Sequence, residues 1–520
     1  MATIQQREEL HRTIWAIADE LRGAIDGWEF KAYVLGSLFY RFISENLTNY
    51  INRLQAEAGM EGFDYAQMAD DEAEMAREQM VQEKGFFILP SQLFKNVCAR
   101  CEQDENLNMT LSNIFREIEG SAIGTDSEDD MKGLFSDFNV DSTQLGGDVK
   151  SRNRLIAKVL LKVRDMDLGV DFQDNQIDAF GDAYEFLMTM YASDAGKSGG
   201  QFFTPQEVSE LLARITAADG HEIRSVYDPC CGSGSLLLKF SKSIGKENPS
   251  LKYYGQEINP TTYNLCRINM FLHDINYDNF DIQQGDTLID PKHRDLEPFD
   301  AIVSNPPYSI GWEGSKNPLL INDDRFAGPG VLAPDKTADL AFTLHMLASL
   351  SETGTAAIVE FPGVLYRSGK EKNIRKWLVE NNYVDTIIQL PANLFFGVGI
   401  ATCIIVLRKS ARPDNQILFI DASKEFVKNG NKNRLTPDNQ EHIYQVFAER
   451  KEEEYFSRLV SIDDVLKNDA NLSVSSYVEQ EDTREVIDIE QVNEKMSSLI
   501  EEGNALNARI EEIILQLGGE

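Results

Sequence analysis

Val226-Tyr227-Asp228-Pro229-Cys230-Cys231-Gly232-Ser233-Gly234-Ser235 reads as the end of a β-strand, a glycine-bearing turn and the start of a helix at 235–243. Gly232 and Gly234 let the backbone pass close to a ligand, and the first turn of the helix offers amides with no intrahelical partner. This is a nucleotide-type binding turn at the carboxyl end of a strand. A dinucleotide fingerprint wants a third glycine three residues after the second, and Leu237 stands there. The turn therefore argues against NAD or FAD and leaves other adenosine-containing ligands open.

Downstream, short apolar or β-branched runs alternate with helical stretches. Strands are expected at 252–257, 280–284, 299–304, 356–361, 384–390 and 402–408, with a further one at 417–420. Helices are expected at 261–273, 338–350 and 371–381. The alternation predicts an α/β domain with a mostly parallel sheet covered on both faces. The loop between 384–390 and 402–408 is too short for a crossover helix, so these two strands are expected as an antiparallel hairpin at one edge.

Upstream, residues 1–165 read as an all-α domain. Apolar residues fall at helical spacing over 4–21, 30–43 and 155–163, and Phe86-Phe87-Ile88-Leu89 carries the region's strand-like signal. Acids outnumber bases between 57 and 148, and 120–130 is expected as an exposed, acid-rich loop. At the other end Ile489, Val492, Met496, Leu499, Gly503, Leu506, Ile510, Ile513 and Leu517 recur at alternating steps of three and four, a heptad seam interrupted by Gly503. The division expected is 1–165 helical, 166–480 catalytic and 481–520 a C-terminal amphipathic helix. That helix packs either on a partner or on its own protein.

Composition sets limits. The chain has 520 residues, with 85 acidic against 50 basic side chains and a net charge of −35. A protein that grips duplex DNA alone normally carries a basic face that displaces counterions from phosphates. If this chain works on nucleic acid, a local basic groove or a partner must supply much of the attraction. No run of about 18 apolar residues is present, so no membrane-spanning helix is expected. The N-terminus has no apolar signal core, which predicts a cytoplasmic protein. Six cysteines in this length give no disulfide framework. Cys98-x-x-Cys101 has no second pair at zinc spacing, so both are expected as buried small side chains and no metal is predicted.

Three acids stand at successive strand ends. Asp228 opens the turn. Glu257 ends the second strand, where a carboxylate accepts the two hydroxyls of a ribose. Asp286 follows Gly285 after the third, placed to meet an adenine amino group. The fourth strand runs into Asn305-Pro306-Pro307-Tyr308. Two consecutive prolines fix φ and remove two N–H donors, so the carbonyls of Asn305 and Pro306 are not drawn into a helix. The segment presents an amide oxygen, a backbone carbonyl and an aromatic ring in a rigid array, which are acceptors for an exocyclic NH2 group and a face for a planar base.

Asp-Pro-x-x-Gly-x-Gly at 228–234, then Asn-Pro-Pro-Tyr at 305–308, preceded by Gly200-Gln201-Phe202-Phe203-Thr204-Pro205, resembles the amino-methyltransferases that act on DNA adenine with S-adenosylmethionine. The order, with Phe-Phe-Thr-Pro first, is similar to their gamma arrangement. With the helical front and the C-terminal helix, essentially the whole chain resembles the modification (M) subunit of a type I restriction–modification system. The resemblance implies a Rossmann-like methyltransferase domain. It implies that Phe202, Phe203, Thr204 and Pro205, with Gln201 and Gln206 beside them, wrap the methionine end of S-adenosylmethionine. Asp228 and the backbone of Cys231, Gly232, Ser233 and Gly234 would hold its middle, Glu257 its ribose and Asp286 its adenine. Asn305 and the Pro306 carbonyl would accept hydrogen bonds from the N6 amino group of the target adenine, with Pro307 holding the turn and Tyr308 stacked on the flipped base. Phe395 or Phe396 is the candidate for the base's other face.

The resemblance also implies partners: a specificity (S) subunit that reads the sequence, a second M subunit, a restriction (R) subunit and double-stranded DNA. No Walker-type Gly-x-x-x-x-Gly-Lys is present, so this chain is not expected to be the motor. Asn-Pro-Pro-Tyr also occurs in enzymes resembling glutamine-N5 methyltransferases of proteins, but those are generally shorter and lack the Phe-Phe-Thr-Pro element and the long helical front. A non-catalytic scaffold that only binds cofactor need not keep Asn305 and Tyr308.

Overall fold

The computed structural model describes residues 11–17, 29–167, 180, 183–184, 186–187, 204–218, 220, 222–241, 248, 250–395, 399–410, 414–430, 432–481 and 489–518. They fall in two compact units, residues 1–478 and 479–520.

The first unit is built on a nine-stranded sheet with strand order β11-β8-β6-β7-β5-β4-β1-β2-β3. Its strands are β1 (Ser225–Asp228), β2 (Lys252–Glu257), β3 (Phe280–Gln284), β4 (Phe299–Ser304), β5 (Leu350–Glu360), β6 (Val384–Gln389), β7 (Cys403–Arg408), β8 (Gln416–Asp421) and β11 (Ser457–Ser461). A separate antiparallel hairpin, β9 (Val427–Asn429) with β10 (Lys432–Arg434), follows β8. Strands β3, β2, β1, β4 and β5 are parallel neighbours, and β6 is parallel to β8. The sheet is mostly parallel, as expected. The β6–β7 hairpin is present, but it is not at an edge: β7 lies between β5 and β6, antiparallel to both, and β8 and β11 extend the sheet beyond β6. The physical reason is burial. Cys403, Ile404, Ile405, Val406 and Leu407 are all buried, and an edge position would leave one row of their amides and carbonyls unpaired.

Successive residues of the central strands feed two different cores. Ala301, Val303, Ile404, Val406, Leu418 and Ile420 enter one, while Ile302, Ile405, Leu407, Ile417 and Phe419 enter the other. The first core is shared with the N-terminal helices α1 (Glu29–Glu57), α2 (Phe94–Arg100), α3 (Leu107–Gly120) and α4 (Val149–Arg164). It also takes α5 (Gln206–Thr216), α6 (Ser235–Phe240), α7 (Pro260–Leu272) and α10 (Pro437–Glu449). The second core takes α8 (Asp339–Ser349) and α9 (Lys370–Glu380).

Two expectations for the N-terminal region change. Phe86, Phe87 and Ile88 are buried and Leu89 half-buried, but the segment pairs with no strand; the Phe87 amide donates to Ser121 Oγ at 3.0 Å and the Tyr65 hydroxyl to the Ile88 carbonyl at 2.8 Å. The segment 120–130 is only partly exposed. Arg267 of α7 donates to the carbonyls of Asp129, Asp130 and Lys132, so the loop is latched onto the α/β part, and burial pushes the Asp130 carboxyl up to about 7. Cys98 and Cys101 are buried and their thiols donate to the carbonyls of Leu160 and Cys98. Among the described residues no helix is long and apolar enough to cross a membrane.

The described residues of the second unit include one helix, α11 (Ile489–Leu517), of 29 residues, running through Gly503 without a break. None of its residues is buried.

Candidate active site

The carboxyl ends of the parallel strands collect the chemistry on one edge of the sheet. The order reverses at β1, with β2 and β3 on one side and β4 and β5 on the other, which is the switch point where open α/β sheets bind ligands. Asp228, Glu257 and Asp286 lie at the ends of three adjacent strands, and Asn305 follows the fourth, β4, on the opposite side of β1.

The turn after β1 is fixed from below and beside. Asp228 is fully buried. Its Oδ1 accepts from the Cys230 amide at 2.9 Å and from Ser304 Oγ of β4 at 2.8 Å, while Oδ2 has no protein partner. Burial pushes its carboxyl up to about 7. Gly232 (φ 54°) and Gly234 (φ 81°) take left-handed backbone, and a Cβ on Gly234 would stand 2.8 Å from Cys266 Sγ. The Asn269 side chain of α7 donates to the Ser233 carbonyl at 2.8 Å, and the Cys231 amide donates to the Gln256 carbonyl at 3.0 Å. Glu257 closes the turn from the side: Oε2 accepts from the Gly232 amide at 3.0 Å and Oε1 from the Asn259 amide at 2.8 Å. Burial raises its pKa above the usual carboxylate range. Asp286 Oδ1 accepts from the Leu288 amide, and Thr287 donates to the Pro229 carbonyl at 2.5 Å, tying the loop after β3 to the loop after β1.

On the other side of β1, Thr204 and Asn305, 101 residues apart in the chain, meet directly. Asn305 Nδ2 donates to Thr204 Oγ1 at 3.0 Å, and the Tyr308 hydroxyl donates to Asn305 Oδ1 at 2.5 Å. The amide is thus held at both ends, with its oxygen orientation set by Thr204. Asn305 and Pro306 are buried and Pro307 and Tyr308 half-buried. Ser309 follows in left-handed backbone (φ 53°), and its amide donates to Asp339 Oδ1 at 2.6 Å.

Residues 175–486 match the family described as N-6 DNA Methylase, and residues 10–163 match the HsdM N-terminal domain. The chain belongs to the N-6 DNA methylases. The methylase is 48% identical to the Type I restriction enzyme MpnII methylase subunit of Mycoplasma pneumoniae, over 98% of this chain and 96% of that protein. It is 32% identical to the Type I restriction enzyme MjaVIII methylase subunit of Methanocaldococcus jannaschii, over 66% of this chain and 61% of that protein. Among solved structures it superposes with a TM-score of 0.81, at 33% identity, on the type I restriction-modification system methyltransferase subunit from Streptococcus thermophilus, over 91% of this chain and 100% of that one. The methylase is an adenine-specific DNA methyltransferase of the type I methylase-subunit kind.

Of the residues singled out from sequence, Thr204, Pro205, Asp228, Cys231–Gly234, Glu257, Asp286 and Asn305–Tyr308 lie on this edge of the methylase. Gln206 is exposed at the start of α5. Gln201, Phe202 and Phe203 lie outside the described residues, as does Phe396. Phe395 is 2% exposed and packed in the first core, so its ring is part of the scaffold. Sequence reasoning missed four supports. Ser304 bridges β4 to Asp228; Gln256 is buried and holds Asp290 and Lys292 after β3; Asp339 pins Ser309; and Glu360, fully buried at the end of β5, accepts from Thr343 Oγ1 at 3.3 Å. Burial raises the pKa of Asp339 and drives that of Glu360 well above the carboxylate range. A single acid ending an apolar strand, as in Ala356-Ala357-Ile358-Val359-Glu360, was the signal for the last.

Proposed function

We propose that the methylase binds S-adenosylmethionine along β1–β3 and methylates N6 of an adenine flipped out of duplex DNA at Asn305, as the catalytic subunit of a type I restriction–modification complex. The observation that carries this reading is the doubly held Asn305 amide beside a carboxylate-lined turn. The residues present fit S-adenosylmethionine. Asp228 keeps a buried oxygen without a protein partner, and Glu257 places a half-buried carboxylate against the glycine turn. Asp228 and the Cys231–Gly234 backbone would hold the cofactor's middle, Glu257 its ribose hydroxyls and Asp286 its adenine. Gln201, Phe202, Phe203, Thr204, Pro205 and Gln206 would enclose its methionine end. When bound, S-adenosylmethionine supplies the electrophilic methyl group.

Asn305 Oδ1 and the Pro306 carbonyl would accept from the target amino group, drawing its lone pair out of conjugation so that it can attack in line. Positioning and electrostatics then carry the catalysis. Tyr308 would stack on the base and Phe396 is the remaining candidate for its other face. Thr204 links the two halves: its hydroxyl orients Asn305 while its neighbours would contact the cofactor. The gamma order of motifs, Phe202–Pro205 ahead of Asp228 and Asn305, belongs to the same reading.

Domain roles follow: 1–165 a helical N-terminal domain, 166–480 the catalytic domain and 481–520 the docking helix. The partners are a specificity subunit, a second methylase subunit, a restriction subunit and duplex DNA, in the cytoplasm. The exposed seam of α11 supports docking, since heptad residues bury themselves only against another helix. Methyl transfer to unmethylated DNA, with and without a co-expressed specificity subunit, tests the function. Transfer should appear only with the partner and should be lost, with S-adenosylmethionine binding kept, when residues after 484 are removed. Transfer to a protein glutamine instead, or none under any condition, would overturn it.

A further inference from the structure

The other feature of the catalytic edge is electrostatic. Strand β8 is parallel to β6, and β6 runs parallel to β5 because β7 is antiparallel to both. The carboxyl end of β8 therefore lies on the same edge as those of β1, β4 and β5, and the β9–β10 hairpin leaves the sheet there. In a chain of net charge −35, residues 422–436 hold Lys424, Lys428, Lys432 and Arg434 against a single acid, Glu425. Lys424, Lys428 and Arg434 are exposed and Lys432 half-exposed. Glu425 also bonds α10. It accepts from the Asn439 side chain at 2.5 Å and bonds His442 Nδ1 at 3.1 Å, both on α10, and the two carboxylates flanking His442 raise its pKa against the effect of burial. Arg434 also sits in the field of Glu207. The hairpin is fastened to the loop after β6: the Asn433 side chain donates to the Ala392 carbonyl at 2.8 Å and its amide to the Asn393 carbonyl at 3.1 Å. That loop continues into Leu394 and Phe395, and 391–402 contains no charged residue.

We infer that the β9–β10 hairpin binds the sugar–phosphate backbone of the substrate DNA, with Lys424, Lys428 and Arg434 as the phosphate contacts. From β4, where Asn305 stands, to β8 is four strands, about 19 Å at about 4.8 Å per strand. With the target base entering at β4, the phosphate strand on the far side of a major groove about 12 Å wide comes toward β8, and the long Lys and Arg side chains of the hairpin cover the remaining distance. The opposite end of the edge carries Glu257, Asp286 and Asp290, which repel phosphate. The charge gradient along the edge thus orients DNA away from the cofactor side, and it supplies the local basic surface that an acidic DNA enzyme needs.

The test uses the methylase assembled with its specificity subunit and the triple variant Lys424→Gln, Lys428→Gln, Arg434→Gln. Binding to a duplex of arbitrary sequence is titrated over a series of NaCl concentrations, alongside methyl transfer to unmethylated plasmid. Each lost phosphate contact removes about 0.9 from the slope of log affinity against log salt, so the slope should become shallower by about 2–3. The KM for DNA should rise roughly tenfold or more at low salt, with kcat at saturating DNA and the affinity for S-adenosylmethionine unchanged. The single Lys428→Glu variant, in the exposed part of the hairpin, should shift slope and KM in the same direction and guards against a folding defect in the triple variant. An unchanged slope in both variants would overturn the inference. Loss of assembly with the specificity subunit at an unchanged slope would also overturn it, by showing that the hairpin docks a protein.

Discussion

Around β1–β3 the catalytic edge is held by carboxylates bonded to backbone amides, whereas around β4–β5 it is held by a neutral amide between two hydroxyls. Glu257 accepts from the amides of Gly232 and Asn259, while Asn305 gives its N–H to Thr204 and takes the Tyr308 hydroxyl. The acids behind Asn305 are buried: Asp339 accepts from the Ser309 amide, and Glu360 is driven toward its neutral form. On the function proposed above, one sheet edge would serve two ligands because its two halves offer different acceptors. Charged acceptors suit hydroxyls and amines of a cofactor that stays bound through its polar groups. A neutral acceptor suits an exocyclic amino group whose lone pair must remain available for attack, because it positions the nitrogen without protonating it.

The carboxylate side should respond most strongly. Burial pushes the Asp228 carboxyl up to about 7 from its ordinary 3.8. A raised carboxyl favours folding below the ordinary value, and that contribution is lost as pH rises toward and through 7. At about 1.4 kcal/mol for each pH unit between the two values, the contribution is roughly 4 kcal/mol. Asp228→Asn keeps an acceptor for Cys230 and Ser304 but cannot ionise, so its stability relative to the parent should climb between pH 4 and 8. Denaturant melts of the cofactor-free protein across that range measure it; a pH-independent difference would show that Asp228 is not held in this state.

Asn305→Ala addresses the neutral side. Methylation should fall by roughly 10²–10³-fold, by analogy with loss of one positioned oxyanion donor, while S-adenosylmethionine binding stays nearly intact. Near-normal turnover would remove Asn305 from the chemistry. Glu257→Ala should do the reverse, weakening cofactor binding by about 1.5–3 kcal/mol through loss of a charged acceptor, with little change in kcat at saturating cofactor. Calorimetry decides it, and unchanged affinity would shift the ribose contact to another acid. The smallest effect falls at the boundary between the two sides. Thr204→Val removes one hydrogen bond, worth about 0.5–1.5 kcal/mol, and should slow transfer by several-fold because the Asn305 amide can then turn over. If kcat held and only cofactor affinity changed, Thr204 would belong wholly to the cofactor side.

The alternation of strands and helices, the glycine turn and the Asn-Pro-Pro-Tyr segment were all legible in the sequence. Each depends on residues adjacent in the chain: apolar period, φ fixed by proline, φ freed by glycine. The α11 seam was legible for the same reason, since its spacing is local. Whatever depends on a distant neighbour was settled by tertiary packing. Packing placed β7 inside the sheet rather than at an edge, because the buried run Cys403–Leu407 needs a hydrogen-bonding strand on each side. It turned the acid-rich loop 120–130 inward through the guanidinium of Arg267, and it sent Phe395 into the core. It also brought Thr204 onto Asn305 and Ser304 onto Asp228, contacts across 101 and 76 residues. No local pattern encodes such meetings. They are selected by the cost of leaving a buried amide or carboxyl unpaired, which is settled only when the sheet closes around it.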